Sequence, residues 1–176
     1  MRFVAAMILL LGCTEEIGGA SVIPSEDCPT AKAYRLYRDD WFVCSAFPVQ
    51  HKWVTSAHCL RDGSTYIIGG SEVTFVAHDD EQDWAIGEAS FAPPGYLPGT
   101  PSVGPTQIWG FPGARETLSY GDIVDIQQHW VQTDILGFPG QSGGVMIQNG
   151  CYAVGVTSVL VNGVDVAGPM LPEQLR

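Results

Sequence analysis

The segment FPGQSGG, at residues 138–144, constrains the fold of this chain more than any other stretch. A serine that acts as a nucleophile needs a tight turn that exposes its hydroxyl, with backbone N–H groups aimed at a developing oxyanion. Gly140 permits the unusual backbone that directs its N–H toward the same point as that of Ser142. Gly143 and Gly144 let neighbouring segments approach closely. Taken alone, the motif also fits an idle serine in a glycine-rich turn.

A second segment, WVTSAHC at residues 53–59, leads from an apolar strand into a histidine. A lone histidine at a strand end is usually structural. However, Cys44 lies fifteen residues before Cys59, at the far end of a predicted hairpin, and a disulfide between them would hold the loop that carries His58. At the end of an apolar stretch, His58 can face a cleft.

A nucleophilic serine and its histidine need a carboxylate that orients the imidazole. Three aspartates lie between them in the chain. Asp79 and Asp80 belong to the charged run HDDE, which is typical of a solvated turn. Asp83 comes directly before the apolar segment WAI and is therefore the aspartate that we predict to be held beside His58.

In the order His, Asp, Ser, these segments resemble the chymotrypsin clan of serine proteases, and in particular its HtrA-like branch. The motifs TSAHC at 55–59 and DWAI at 83–86 are similar to the histidine and aspartate motifs of that branch. QTD at 132–134 precedes the serine as it does there, and IWGFPG at 108–113 resembles its glycine–proline turn. The resemblance covers about residues 35–172. An α/β-hydrolase elbow fits less well, because no helical pattern follows Ser142.

The resemblance implies an all-β fold of two packed six-stranded antiparallel barrels, with the active site in the cleft between them. It implies a catalytic triad of His58, Asp83 and Ser142 and an oxyanion hole made by the N–H groups of Gly140 and Ser142. The expected reaction is hydrolysis of a polypeptide substrate through an acyl-enzyme, which requires no metal and no cofactor.

The chain has 21 glycines and 12 prolines in 176 residues, a composition that favours short strands and tight turns. Residues 1–20 are predicted to be a leader and 21–176 one domain. Within it we expect a first barrel at about 34–91, a linker at 92–105 and a second barrel at about 106–170. The predicted strands are 41–47, 52–56, 65–68, 73–77, 84–89, 107–110, 116–120, 123–127, 130–134, 144–148, 152–159 and 165–168.

The first residues indicate export. Arg2 is followed by an apolar run at residues 3–11, too short to span a bilayer but typical of a signal peptide. Cleavage after Ala20 is one alternative, and lipidation of Cys13 in the lipobox-like LLGC is the other. We therefore expect a secreted, periplasmic or cell-envelope protein, with a lipid anchor as one possibility. A net charge of −11 argues against nucleic acid as a partner.

The cysteine count also favours an oxidising compartment. With Cys13 assigned to the leader, four cysteines remain, an even number that suits two disulfides. Cys44–Cys59 is predicted from the hairpin, and Cys28–Cys151 follows by elimination. No pair has the spacing of a zinc site.

The specificity pocket is predicted by aligning this sequence with the family that it resembles. Leu136 lies six residues before Ser142, where a trypsin-like enzyme carries its pocket aspartate, and Ser158, Val159 and Leu160 fall on the far wall. Because none is charged, we expect cleavage after small or medium apolar residues. Asp134 is expected to brace the loop.

Two features depart from relatives, and two other functions stay open. Gln141 replaces the aspartate with which trypsin-type zymogens pair a new N-terminus. Because the sequence ends at Arg176, we also expect no PDZ domain of the kind that HtrA proteins carry. The alternatives are a catalytically silent binding module on the same fold and an envelope-anchored structural lipoprotein.

Overall fold

The first half of the domain is a closed six-stranded barrel. A computed structural model describes residues 31–161 and 165–175. The strands follow the order β1-β2-β3-β6-β5-β4, with all neighbours antiparallel. Their bounds are β1 Tyr34–Arg38, β2 Trp41–Val49, β3 Lys52–Thr55, β4 Tyr66–Ile68, β5 Ser71–Asp79 and β6 Trp84–Ala89.

Strand β1 was not among the predicted strands. Its sequence YRLYR places Leu36, which is fully buried, between two Tyr-Arg pairs. One aliphatic residue in five gives a weak signal of strand alternation. Pairing with both β2 and β4 makes β1 the strand that closes the barrel.

The second half is an eight-stranded sheet with the order β13-β14-β10-β9-β8-β11-β12-β7. It curls until a single bridge between Gly155 and Met170 links β12 to the residue after β14. The central six strands therefore wrap around a common core, and the short β13 and β7 flank them. The bounds are β7 Leu97–Pro98, β8 Gly104–Gly110, β9 Thr117–Gln127, β10 Trp130–Leu136, β11 Val145–Gln148, β12 Tyr152–Val156, β13 Val159–Val161 and β14 Asp165–Pro169.

Strand β9 is one continuous strand where the sequence predicted two. Gly121 and Asp122 suggested a turn, yet both pair in register with β8. A Cβ on Gly121 would lie 2.3 Å from Asp134 Oδ1, and that oxygen accepts a hydrogen bond from the Asp122 N–H at 2.7 Å. The glycine therefore makes room for the Asp134 carboxylate rather than for a turn. Asp134 braces this strand.

Three apolar clusters fill the part of the chain that the structure describes. One lies inside each barrel, with Leu36 and Trp53 in the first and Ile108 and Met146 in the second. The third cluster contains residues from both barrels, such as Phe47 of the first and Val145 of the second, together with Leu175 of the C-terminal 3-10 turn Glu173–Leu175. It holds the barrels against each other and thereby fixes the cleft between them.

The segment predicted as a linker packs closely against the first barrel. Tyr96 is buried in the cluster shared by the barrels, and Gly95 adopts a φ of +70° beside the carbonyl of Pro48. The short β7 lies within this segment, and β8 begins at Gly104.

Several predictions concern residues outside the described ranges. The leader at 1–20, the alternatives at Cys13 and Ala20, and Cys28 all lie there. Cys151 is buried and disulfide-bonded, and its pairing with Cys28 stays a prediction. Within 31–161 and 165–175, no helix is long and apolar enough to cross a membrane.

Candidate active site

His58 lies on a one-turn 3-10 helix, Ala57–Cys59, that follows β3. Ala57 and Cys59 are buried, whereas 46% of the His58 side chain is exposed. The predicted disulfide between Cys44 and Cys59 is present and joins this turn to β2. Anchored on both sides, the turn presents the imidazole to the cleft.

Asp83 binds His58 twice. Its Oδ2 lies 2.7 Å from His58 Nδ1, and its Oδ1 accepts a hydrogen bond from the His58 backbone N–H at 2.8 Å. Asp83 precedes β6 with a φ of +61°, a left-handed conformation that aspartate tolerates better than most residues. These bonds fix both the imidazole ring and the turn that carries it.

The Asp83 carboxylate also accepts a hydrogen bond from the hydroxyl of Ser158, in the second barrel. Burial opposes the ionised form, but the hydrogen bonds from His58 and Ser158 outweigh it and hold the pKa of Asp83 below its usual value. The carboxylate therefore stays ionised at neutral pH and favours a proton on His58 Nδ1. This leaves Nε2 as the basic nitrogen.

Ser142 lies in the loop between β10 and β11. Gly140 and Gly143, on either side of it, adopt φ values of +92° and +77°. The Ser142 hydroxyl donates to the carbonyl of Ser158 at 3.3 Å. Among the described residues no hydrogen bond joins Ser142 to His58, a looseness that is common in such sites before substrate binds.

The N–H groups of residues 138–144 separate into two sets. Those of Phe138, Gln141, Gly143 and Gly144 all donate to acceptors within the protein. Those of Gly140 and Ser142 meet no acceptor anywhere in the described part of the chain. Buried or half-buried N–H groups are normally paired. The two left free are the pair that the sequence predicted for the oxyanion hole.

A small pocket of about 110 Å³ opens beside Ser142. The predicted wall residues Ser158, Val159 and Leu160 line it, whereas Leu136 does not. Leu136 ends β10 with its side chain 57% exposed. The remaining lining residues are Phe138, Pro139, Gln141, Thr157 and Val166, so no charged side chain of the described residues faces the pocket.

Sequence reasoning missed the bond from Ser158 to Asp83. Ser158 was predicted only as a pocket residue, and 75 positions separate it from the aspartate. No local pattern marks such a contact, because it depends on how the two barrels dock.

Metal ligation at the site does not fit the donor atoms. Ligand atoms of Cys44, Cys59 and His58 lie within 4.8 Å of one another. However, the two sulfurs form a disulfide and offer no thiolate. Of these three side chains, only the imidazole can ligate a metal ion.

Known structures share this architecture. A serine endoprotease from Yersinia pestis aligns with a TM-score of 0.64 and 20% identity over 78% of this chain. The Rv3671c protease of M. tuberculosis H37Rv, in an inactive form, aligns with a TM-score of 0.65 and 20% identity over 82% of both chains. The HtrA-type protease AlgW aligns with a TM-score of 0.70 and 18% identity over 85% of this chain. The chain has the fold of the HtrA-type serine proteases.

Comparison of the whole sequence detects no relative, although the motifs around His58, Asp83 and Ser142 resemble those of HtrA-like proteases. No protein-family model matches the chain, and no curated protein matches it significantly. The chain spans 58% of the Yersinia protease and 60% of AlgW. The expected all-β architecture of the chymotrypsin-like kind is thus confirmed.

Proposed function

We propose that this protein is a serine endopeptidase that uses His58, Asp83 and Ser142 as a catalytic triad. The observation that carries the proposal is the 2.7 Å contact between His58 Nδ1 and Asp83 Oδ2, beside a serine turn at 138–144 in which, among the described residues, the N–H groups of Gly140 and Ser142 alone meet no acceptor. The fold shared with HtrA-type serine proteases supports a polypeptide substrate.

In the proposed reaction, Ser142 Oγ attacks the carbonyl carbon of the scissile bond and His58 Nε2 takes the hydroxyl proton. The N–H groups of Gly140 and Ser142 bind the oxyanion of the tetrahedral intermediate. His58 then gives its proton to the leaving amine, which leaves an acyl group on Ser142. Water, activated by the same imidazole, hydrolyses that ester.

The residue on the acyl side of the cut bond would enter the pocket beside Ser142. Its small volume and uncharged lining support a preference for small or medium apolar side chains. The Cys44–Cys59 disulfide supports residence in an oxidising compartment, and hence export.

The deciding experiment is reaction of the purified protein with a fluorophosphonate probe, together with hydrolysis of a casein substrate. We expect labelling and cleavage that disappear in Ser142→Ala and persist in Ser71→Ala, a control serine at the start of β5. A folded wild-type protein that neither labels nor cleaves would contradict the proposal and favour a silent binding module.

A further inference from the structure

Ser45 on β2, in the first barrel, makes three hydrogen bonds to segments of the second barrel. The residue is fully buried. Its hydroxyl donates to the carbonyl of Gly140 at 3.0 Å and accepts from the Phe111 N–H at 2.8 Å. Its backbone N–H donates to the carbonyl of Ser142 at 2.7 Å. The hydroxyl therefore connects the turn at Phe111 to the loop that contains both unpaired N–H groups.

The peptide unit before Gly140 is held in a similar way. The Gly113 N–H donates to the carbonyl of Pro139 at 2.8 Å. In a planar trans peptide, C=O and N–H point in opposite directions. Holding the Pro139 carbonyl on Gly113 therefore fixes the direction of the Gly140 N–H.

Gly140 needs support on both sides because glycine restrains its own dihedral angles so little. At a φ of +92° it has no Cβ that would prevent rotation of either adjacent peptide. Gly113 holds the preceding peptide and the Ser45 hydroxyl holds the following one. The other end of that following peptide is held as well, since the Gln141 N–H donates to the carbonyl of Phe138 at 3.1 Å. Without the Ser45 bond this end alone would hold it, so Gly140 could rotate and shift its N–H relative to the cleft.

We propose that Ser45 is a positioning residue whose hydroxyl keeps the Gly140 N–H aimed at the oxyanion. The inference rests on the proposed peptidase function. The Ser45 hydroxyl touches no reacting atom, and its proposed effect on the oxyanion hole passes through its bond to the Gly140 carbonyl. A residue without a hydroxyl at this position could still bind the Ser142 carbonyl through its N–H, but it could not hold Gly140.

The test is Ser45→Ala in the full chain, assayed with a fluorogenic peptide. We expect kcat to fall by about tenfold to a hundredfold, as for other small misplacements of catalytic groups. KM should change by less than about threefold, because the oxyanion donors act on the transition state rather than on the bound substrate. The affinity of a peptide aldehyde, whose adduct with Ser142 places an oxygen in the oxyanion hole, should fall in parallel with kcat.

Thr106→Val is the matched control. Thr106 is buried and its hydroxyl donates to the carbonyl of Ile147 at 2.9 Å, inside the second barrel. This variant loses a comparable hydroxyl-to-carbonyl bond away from the Ser142 loop. It should lower the thermal midpoint while kcat and aldehyde affinity stay at wild-type values.

The outcomes separate the two proposals. A wild-type protein that neither cleaves nor labels removes the proposed function, and the inference with it. If the wild type is active, an unchanged kcat in Ser45→Ala, or a rise in KM alone, overturns the role of Ser45 and leaves the peptidase function intact. If Ser45→Ala does not fold, Ser45→Gly is the second variant. It removes the same hydroxyl but places no methyl group between the Phe111 N–H and the Gly140 carbonyl, and the same criteria apply to it.

Discussion

The first barrel holds His58 and Asp83 by contacts between their own side chains, whereas the second barrel holds Ser142 on a loop that is fixed through its backbone. Much of that backbone support comes from the opposite barrel. Ser45 binds the carbonyls of Gly140 and Ser142, and the Ser56 hydroxyl accepts from the Gly143 N–H. The histidine side of the site is therefore assembled largely within one barrel, while the serine side depends on docking of the two.

The largest expected effect tests whether the two sides act as one catalytic unit. His58→Ala and Ser142→Ala should each lower kcat by roughly a millionfold, and the double variant should be little worse than either. Asp83→Asn should cost about 10⁴-fold, because the wrong imidazole tautomer is then favoured. Steady-state kinetics with a fluorogenic peptide measures all four variants.

Asp80→Ala is the control for the aspartate assignment. Asp80 lies in the same β5–β6 connection, exposed and three positions from Asp83. Its loss should leave kcat near the wild-type value. Equal damage from Asp80→Ala, with a mild Asp83→Asn, would assign the carboxylate role to the other residue.

Gly143→Ala tests the dependence of the serine side on docking of the barrels. A Cβ there would lie 2.1 Å from the carbonyl oxygen of Ser45 and 2.2 Å from Thr55 Oγ1, both in the first barrel. We expect a loss of at least about 3 kcal/mol in the free energy of unfolding, from the left-handed backbone and the overpacking together. Urea denaturation followed by tryptophan fluorescence measures it.

Gly63→Ala separates the two causes. Gly63 has almost the same φ, +75° against +77°, but no heavy atom lies within 4 Å of its would-be Cβ. The free energy of unfolding of Gly63→Ala should fall by only about 1–2 kcal/mol, the usual cost of a left-handed backbone conformation in a residue with a Cβ. Similar losses in both variants would mean that close contact between the barrels contributes nothing at Gly143.

The Cys44–Cys59 disulfide should matter for stability more than for catalysis. It closes a loop of 15 residues, for which chain entropy predicts about 3 kcal/mol. We expect the double variant Cys44→Ala/Cys59→Ala to lose about that much in urea denaturation. Its kcat should stay within a few-fold of wild type, because Asp83 still holds the His58 N–H. A collapse of kcat with little change in stability would mean that the disulfide itself positions His58.

The same comparison explains what could be predicted from the sequence. The motifs around His58, Asp83 and Ser142 predicted a triad because such motifs are local in the sequence, and the structure brings His58 and Asp83 together. Ser45 and Ser158 carried no such signal. Each acts on a residue 75 or more positions away, through contacts that exist only after the barrels have docked.

Secondary structure was missed for a related reason. The polar composition of β1 hid a strand that closes the first barrel. The pair Gly121-Asp122 suggested a turn between two strands. The sequence does not reveal that the carboxylate of Asp134 occupies the space where a side chain at position 121 would lie. Leu136 was assigned to the pocket by counting back from Ser142. Phe138, two residues nearer, lines the pocket instead.

The smallest expected effect concerns the pocket beside Ser142, which is lined by residues of the second barrel. Leu160 and Val166 line it and pack closely against Gly137, where a Cβ would lie 2.3 Å from Leu160 Cδ2 and 2.6 Å from Val166 Cγ2. With about 110 Å³ of open space and no charged lining residue, the pocket fits a side chain such as that of Val or Ala. A charged side chain would be desolvated there without a partner.

Fluorogenic peptides that differ only at the residue before the cut bond measure this preference. We expect kcat/KM to be higher for Val, Ala and Leu than for Arg or Glu, with each buried methylene contributing about 1–3 kcal/mol. Leu160→Ala should move the optimum toward larger side chains such as Phe, whereas Leu136→Ala should not, since Leu136 lies outside the pocket. Faster cleavage after Arg or Glu in the wild type would contradict the pocket assignment. A change in the preferred side chain caused by Leu136→Ala but not by Leu160→Ala would support the original prediction that Leu136 lines the pocket.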